Sequence, residues 1–177
     1  MIIARELRSK NIAEYIIYMF QLEDLVRAFN ADLEKIFEAH IRHFNLEGKE
    51  LEECKHWYST LCTMMKEENI MKQGHLQFLK HKIAELESFH FQLLNTDEEY
   101  EYHSVFENCL HDLDVYKQKS GLKHDVESSL TALYTLLLMR IKKMDISNDT
   151  SDAMDRISKW VSLLAQRYYE LEKEYKQ

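Results

Sequence analysis

The sequence of 177 residues contains no proline and only three glycines, Gly48, Gly74 and Gly121. Proline and glycine supply most tight turns, and a protein built of many short strands needs such turns throughout. Between the glycines the chain is dominated by Leu, Glu, Lys, Met and Ala, which favour helices. The sequence therefore predicts an all-α protein.

Cysteine is also scarce, with Cys54, Cys62 and Cys109 the three examples. Cys54 and Cys62 fall on one predicted helix, about 12 Å apart along its axis, which is too far for a disulfide. Each cysteine lies among apolar residues at helical spacing. We therefore expect three buried thiols that act as small hydrophobic side chains, with no redox or metal-binding role.

Long apolar runs are missing, since no segment approaches the roughly 18 apolar residues that a membrane-spanning helix requires. The stretch from Met1 to Phe20 carries Arg5, Arg8 and Glu14 and lacks a small-residue cleavage site, so it does not match a signal peptide. We expect a cytoplasmic protein. The net charge of −8 repels phosphate groups, so neither nucleic acid nor a membrane is an expected partner.

The length and the 45% hydrophobic content are typical of one folded domain, here residues 1–177. Apolar residues recur at spacings of three and four, which predicts a helical bundle of about six to seven helices. Capping patterns at Asn11-x-x-Glu14 and Thr96-x-x-Glu99 mark two helix starts. The predicted segments are Asn11–Phe29, Asp32–Phe44, Lys49–Lys72, His75–Asn95, Thr96 to about Gly121, Asp125–Met144 and Asp152–Lys176, with the most loop-like stretch at Ile146–Asp152.

The first predicted helix is nearly all-apolar around its circumference, which is the pattern of a central helix surrounded by protein. Its polar side chains need partners, and they form the candidate polar network Glu14, Gln21, Glu23, Asp24 and Arg27. One interpretation makes this network the wall of an internal cleft. The other, which we favour, is ordinary pairing of half-buried groups together with solvated charges.

Carboxylates and histidines on helices raise the question of a metal centre. Bundles that hold two metal ions use Glu-x-x-His pairs that point inward, and this spacing occurs at Glu53-x-x-His56 and Glu87-x-x-His90. His56 lies nearly opposite the apolar stripe of its helix, whereas His90 falls inside its own stripe. Glu87 and His90 are therefore the candidate metal ligands, but half a motif does not predict a metal site, and we expect no cofactor.

No phosphate-binding glycine loop, nucleophile elbow, His-Glu-x-x-His or Cys-x-x-Cys motif is present. We therefore expect a non-catalytic helical protein with a structural or protein-interaction role. The last predicted helix has a regular apolar seam, which favours packing within the fold or against a second copy in a homo-oligomer. The alternative is a metal-binding or small-ligand-binding bundle, an enzyme in one version, that uses inward-facing carboxylates and histidines such as Glu14, Glu87 and His90.

The N-terminal stretch Met1-Ile-Ile-Ala-Arg-Glu-Leu, followed by Lys10-Asn-Ile-Ala-Glu-Tyr-Ile-Ile-Tyr-Met-Phe-Gln-Leu-Glu-Asp-Leu-Val-Arg27, resembles a family of all-helical proteins. This is a domain-of-unknown-function family of roughly the same length from Bacteroidetes-type bacteria. The resemblance is strongest over the first 30 residues. It implies an all-helical cytoplasmic bacterial protein and brings no activity, ligand or partner with it.

Overall fold

The computed structural model describes residues 2 to 175 and is helical throughout, without a strand in that range. Helix termini fall where the backbone turns away from helical geometry. The α-helices are α1 (Ile2–Lys10), α2 (Ile12–Ala28), α3 (Leu33–Ala39), α4 (Gly48–Glu67), α5 (Gln77–Leu94), α6 (Tyr100–Ser120), α7 (Asp125–Ile141) and α8 (Asn148–Glu174), with a 3₁₀ turn at Ile41–Phe44. The all-α prediction is confirmed.

The described residues form eight α-helices, so the expected count of six to seven is too low. The additional helix is α1, which ends beside Asn11. The backbone N–H of Asn11 donates to Leu7 O at 2.7 Å, while its side-chain oxygen accepts from the N–H groups of Ala13 and Glu14. Asn11 therefore closes α1 and caps α2, as the Asn11-x-x-Glu14 pattern predicts. The helix that the sequence predicts as the first is therefore α2, the second helix of the structure.

Two of the predicted helix starts, at Thr96 and at Asp152, are wrong. The Thr96 hydroxyl donates to Gln92 O at 2.9 Å, at the end of α5, and α6 begins only at Tyr100. Helix α8 begins at Asn148, within the stretch expected to be a loop, because the Ser147 hydroxyl accepts from Thr150 N–H and caps it. The predicted end of that helix at Lys176 lies outside the described residues.

Contacts between Cα atoms divide the chain into two compact units. The first consists of the described part of Met1–Glu6 with Tyr18–Lys80, and the second of Leu7–Ile17 with the described part of His81–Gln177. Helix α2 contributes residues to both. Within α2 only Glu14 and Ala28 are exposed, which agrees with its apolar circumference. The single domain expected over residues 1–177 stays a prediction.

The second unit contains α6, α7 and α8 packed against one another. Helix α8 buries the first four positions of its apolar seam, Ile157, Val161, Leu164 and Tyr168. Tyr175, the last position of that seam, is 83% exposed. Most of the seam is therefore used inside this unit and is unavailable for pairing with a second copy.

Between residues 2 and 175 no helix combines the length and the apolar content that crossing a membrane demands.

The three cysteines are buried and unpaired, as expected from the sequence. Burial raises the pKa of each thiol, and that of Cys109 to about 12. Because the thiolate is the reactive form, we expect labelling by a thiol reagent at pH 8 to be slow in the native protein and fast in denaturant. Absorbance of the released chromophore measures both rates.

A matched control is Ser104→Cys, which places a fourth thiol at an exposed position of α6. This variant is expected to gain one rapidly labelled thiol in the native state. Rapid labelling of Cys54, Cys62 or Cys109 in the native protein would contradict their burial.

Candidate functional site

Glu23 of α2 is a fully buried carboxylate in the first unit. Its Oε1 accepts from the backbone N–H of Leu76 at 2.8 Å, and its Oε2 accepts from His75 Nδ1 at 2.5 Å. The His75 ring also stacks on Phe20, with ring centroids 3.9 Å apart. Leu76 directly precedes α5, so the Glu23 carboxylate supplies an acceptor to a backbone N–H at the start of that helix.

Arg27 lies one turn further along α2 and binds the segment that connects α4 to α5. Its guanidinium donates from Nε to Ile70 O at 3.1 Å, from Nη1 to Asp24 Oδ1 at 2.8 Å, and from Nη2 to Gly74 O. Nη2 also lies 3.9 Å from Glu23 Oε2. Glu23, Arg27 and His75, which we call the Glu23 clamp, therefore hold the segment between α4 and α5 against α2.

The structure brings together only part of the predicted polar network. Glu23 and Arg27 belong to the Glu23 clamp, and Asp24 accepts from Arg27 Nη1 beside it. Gln21 is half-buried. Glu14 belongs to the second unit, is exposed, and accepts from Asn11 Nδ2 at 3.0 Å beside the α2 cap. The five residues thus serve at least two separate local structures, of which one is a helix cap.

Glu87 of α5 repeats the arrangement in the second unit. The residue is 8% exposed, its Oε1 accepts from Asp125 N–H at 3.1 Å, and its Oε2 accepts from Val126 N–H at 2.8 Å. These are the first N–H groups of α7, and His124, which precedes them, offers no side-chain cap. Both oxygens of Glu87 are therefore used to cap α7 from another helix.

His90 is fully buried one turn after Glu87 and is surrounded by aromatic rings. Its Nδ1 lies 2.7 Å from the Tyr102 hydroxyl, within hydrogen-bond distance. Its Nε2 lies 3.7 Å from Asp125 Oδ2, beyond hydrogen-bond distance. The rings of Phe106 and Trp160 have centroids 4.7 and 5.0 Å from that of His90. We call His90, Tyr102, Asp125 and Trp160 the His90 cluster.

Asp125 carries the charge of this cluster and is paired with Lys117, whose ammonium lies 2.6 Å from Oδ1. Burial alone would raise the pKa of Asp125, but the His90 ring and the Lys117 ammonium outweigh it, and the pKa lies below the ordinary value of 3.8. Burial also raises the pKa of Tyr102. Asp125 is therefore ionised and Tyr102 neutral near neutral pH.

A hydroxyl, an imidazole and a carboxylate in sequence resemble a nucleophile, a base and the group that orients the base. Tyr102 and His90, however, are both fully buried, so no substrate atom can approach either of them in this conformation. Among residues 2 to 175 no group of three or more His, Cys, Asp and Glu side chains is arranged to hold a metal ion. The geometry of the His90 cluster fits a packed polar core.

A cleft of about 370 Å³ lies between α6, α7 and α8, away from these clusters. Its walls combine apolar side chains such as Leu136, Met139 and Met154 with His111 and Lys119. The volume falls at the lower end of small-ligand sites, which begin near 300 Å³. None of the residues expected from the sequence to form a site lines it.

Sequence reasoning missed Asp125, Tyr102, His75 and Lys117, which complete the two clusters. His75 bonds to a residue 52 positions away, and Val126 N–H to one 39 positions away. Helical periodicity gives no information on contacts at such separations. The one available signal was the position of Asp125 at the expected start of a helix, where acidic residues are common for electrostatic reasons alone.

Glu23→Gln is expected to destabilise the protein by about 2 to 4 kcal/mol, because it replaces a buried charged acceptor of two hydrogen bonds. Urea unfolding at pH 7 measures this change. Glu14→Gln, on the same helix at an exposed position, is the matched control and should leave the midpoint nearly unchanged. Equal effects of the two substitutions would contradict the structural role of the Glu23 clamp.

Asp125→Asn is expected to cost about 1 to 3 kcal/mol at pH 7, because the bond to Lys117 loses its charge. A carboxyl whose pKa is lowered by folding stabilises the protein above its unfolded pKa and loses that contribution as the pH falls through its folded pKa. The difference between wild type and Asp125→Asn should therefore be greatest above about pH 4 and shrink below it.

Urea unfolding at several pH values between 7 and 3 tests this dependence. Asp145→Asn, at an exposed position, serves as the control and should show little effect at any pH. If the difference in free energy of unfolding between wild type and Asp125→Asn grows toward low pH, Asp125 and Lys117 do not form an ionised pair.

Comparison with known proteins gives a family but no relative of known role. No curated protein and no solved structure matches the chain. A family model, described as a domain of unknown function (DUF4924), matches residues 1–175. That range covers nearly the whole sequence, and the resemblance noted at the N-terminus is in agreement with it. The chain therefore belongs to the DUF4924 family of proteins of unknown function.

Proposed function

We propose that this chain is a non-catalytic helical protein that acts by binding another protein or a second copy of itself. The observation that carries the proposal is the burial of its polar clusters. Glu23, His90 and Tyr102 are fully buried, and both oxygens of Glu87 accept from backbone N–H groups. Groups that are buried or bonded in this way stabilise the fold, and we therefore expect the function to depend on the protein surface.

The surface supports a binding role. Four large apolar or aromatic side chains of the second unit are more than half exposed: Tyr100, Ile141, Met144 and Tyr175. Single exposed apolar side chains are common on soluble proteins. Ile141 and Met144, however, lie three residues apart at the end of α7, so two exposed apolar side chains follow each other closely in the sequence. Exposed aromatic and methionine side chains are enriched in protein interfaces.

The alternative is a bundle that binds a metal or a small ligand. Its metal version is disfavoured because both oxygens of Glu87 already accept from the N–H groups of Asp125 and Val126. Its ligand version would use the cleft between α6, α7 and α8, which Glu87 and His90 do not line. A non-catalytic binding role therefore accounts better for the buried polar side chains and the exposed apolar side chains.

The finer features of the proposal follow from the sequence. We propose one helical-bundle domain with α2 at its centre, in a cytoplasmic protein of bacterial origin. The limited exposure of α2 supports the central position of this helix. A protein partner fits the net charge of −8 better than nucleic acid or an anionic membrane does.

Two measurements test the proposal together. Light scattering across a concentration series detects self-association, and cross-linking in the native host followed by mass spectrometry detects other proteins. We expect concentration-dependent mass, a reproducible cross-linked partner, or both. An unrelated acidic helical protein of similar size, expressed at the same level, is the control. A strict monomer that cross-links no more than this control would overturn the proposal.

A further inference from the structure

The end of α7 carries a basic and apolar surface in an otherwise acidic chain. Arg140, Lys142 and Lys143 are exposed, and their neighbours Ile141 and Met144 are 62% and 53% exposed. Helix α7 closes here, with Met144 N–H donating to Met139 O at 3.0 Å and Lys143 at a φ of 54°. We call residues 140–144 the basic tip. It keeps a positive local charge although Asp145 follows it.

A surface of opposite charge lies at the start of α6. Asp97 and Glu98 are exposed, Tyr100 is 75% exposed, and the Glu101 side chain is 68% exposed. We call these four residues the acidic patch. Glu101 also pairs with Arg167, which fixes the patch to α8. The acidic patch thus combines negative charge with an aromatic side chain, and the basic tip combines positive charge with aliphatic side chains.

The two surfaces lie far apart on one molecule. Arg167 of α8 contacts Glu101 at 3.0 Å, while Met139 near the end of α7 lines the same cleft as Asp149 in the first turn of α8. Eighteen residues separate Asp149 from Arg167, which at 1.5 Å per helical residue is about 27 Å. The side chains of the basic tip therefore cannot reach the acidic patch of their own molecule.

The dipoles of the helices account for the placement of these charges, since cations favour helix C-termini and anions favour N-termini. They do not account for the exposure of Ile141, Met144 and Tyr100. The net charge of −8 opposes the approach of an anionic membrane and of a second copy alike, so local charges must carry the contact, and the surface that binds the basic tip is negatively charged. The acidic patch of a second copy offers both the required charge and an apolar contact.

We propose that the basic tip of one copy binds the acidic patch of a second copy. This inference rests on the proposed binding function and specifies its partner and its surfaces. Because the two surfaces differ, the contact is head to tail, and repetition closes a ring or extends a filament. Opposite charges at the contact make the association sensitive to salt.

Charge reversal at each surface tests the contact. The tip variant is Lys142→Glu with Lys143→Glu, and the patch variant is Asp97→Lys with Glu98→Lys. Sedimentation velocity of the full chain at low salt should show wild-type self-association, weakened about tenfold or more in each variant alone. An equimolar mixture of the two variants should associate again, because each reversed surface then meets its complement.

A matched control is Lys123→Glu with Lys159→Glu, which makes the same charge change at exposed positions outside both surfaces. It should associate as wild type does. Thermal unfolding of every variant by circular dichroism verifies that the fold is retained. If the tip variant is misfolded, Ile141→Ser with Met144→Ser tests the same surface without charge reversal and should also weaken association.

Self-association that survives both reversals would overturn the head-to-tail contact and leave the proposed function standing. A wild-type monomer that reproducibly cross-links to a different protein in its host would do the same. A monomer without any specific cross-link would overturn both proposals. Binding to vesicles of phosphatidylglycerol and phosphatidylcholine that is lost in the tip variant, with self-association unchanged, would assign the basic tip to an anionic membrane instead.

Discussion

A carboxylate buried away from water is tolerated only where hydrogen-bond donors replace the water that it has lost. Glu23 and Glu87 meet this requirement in the same way, by accepting backbone N–H groups at the start of a later helix. The first N–H groups of a helix lack partners within that helix. One contact therefore satisfies a buried acceptor and an unpaired donor, and it fixes where the later helix begins.

This constraint is important in a chain without proline, because no proline is available to fix the turns between helices. The connection before α5 is held by Glu23, with Arg27 binding the carbonyl oxygens of Ile70 and Gly74, and the connection before α7 is held by Glu87. Long-range side-chain bonds thus hold both connections at the start of the helix that follows. The same bonds occupy the atoms that a metal ion or a substrate would need, and so the most conspicuous acidic residues of the core have structural roles.

The sequence predicts what depends on neighbours along the chain. Apolar spacing gives the helical class and the buried cysteines, and Asn11 gives the start of α2 because its cap is local. The partners of Glu23 and His90 depend on helices brought together by packing, at separations that periodicity does not describe. Thr96 failed as a cap for a local reason, because its hydroxyl has a competing acceptor in Gln92 O at the end of α5.

The central claim is that Glu23 and Glu87 cap α5 and α7 from outside those helices, and amide hydrogen exchange tests it most directly. N–H groups that precede or begin a helix ordinarily exchange fast because they have no intrahelical acceptor. NMR exchange measurements should instead show strong protection at Leu76 and Val126, comparable to helix interiors. Exchange of these two amides as fast as that of exposed loop amides would contradict the account.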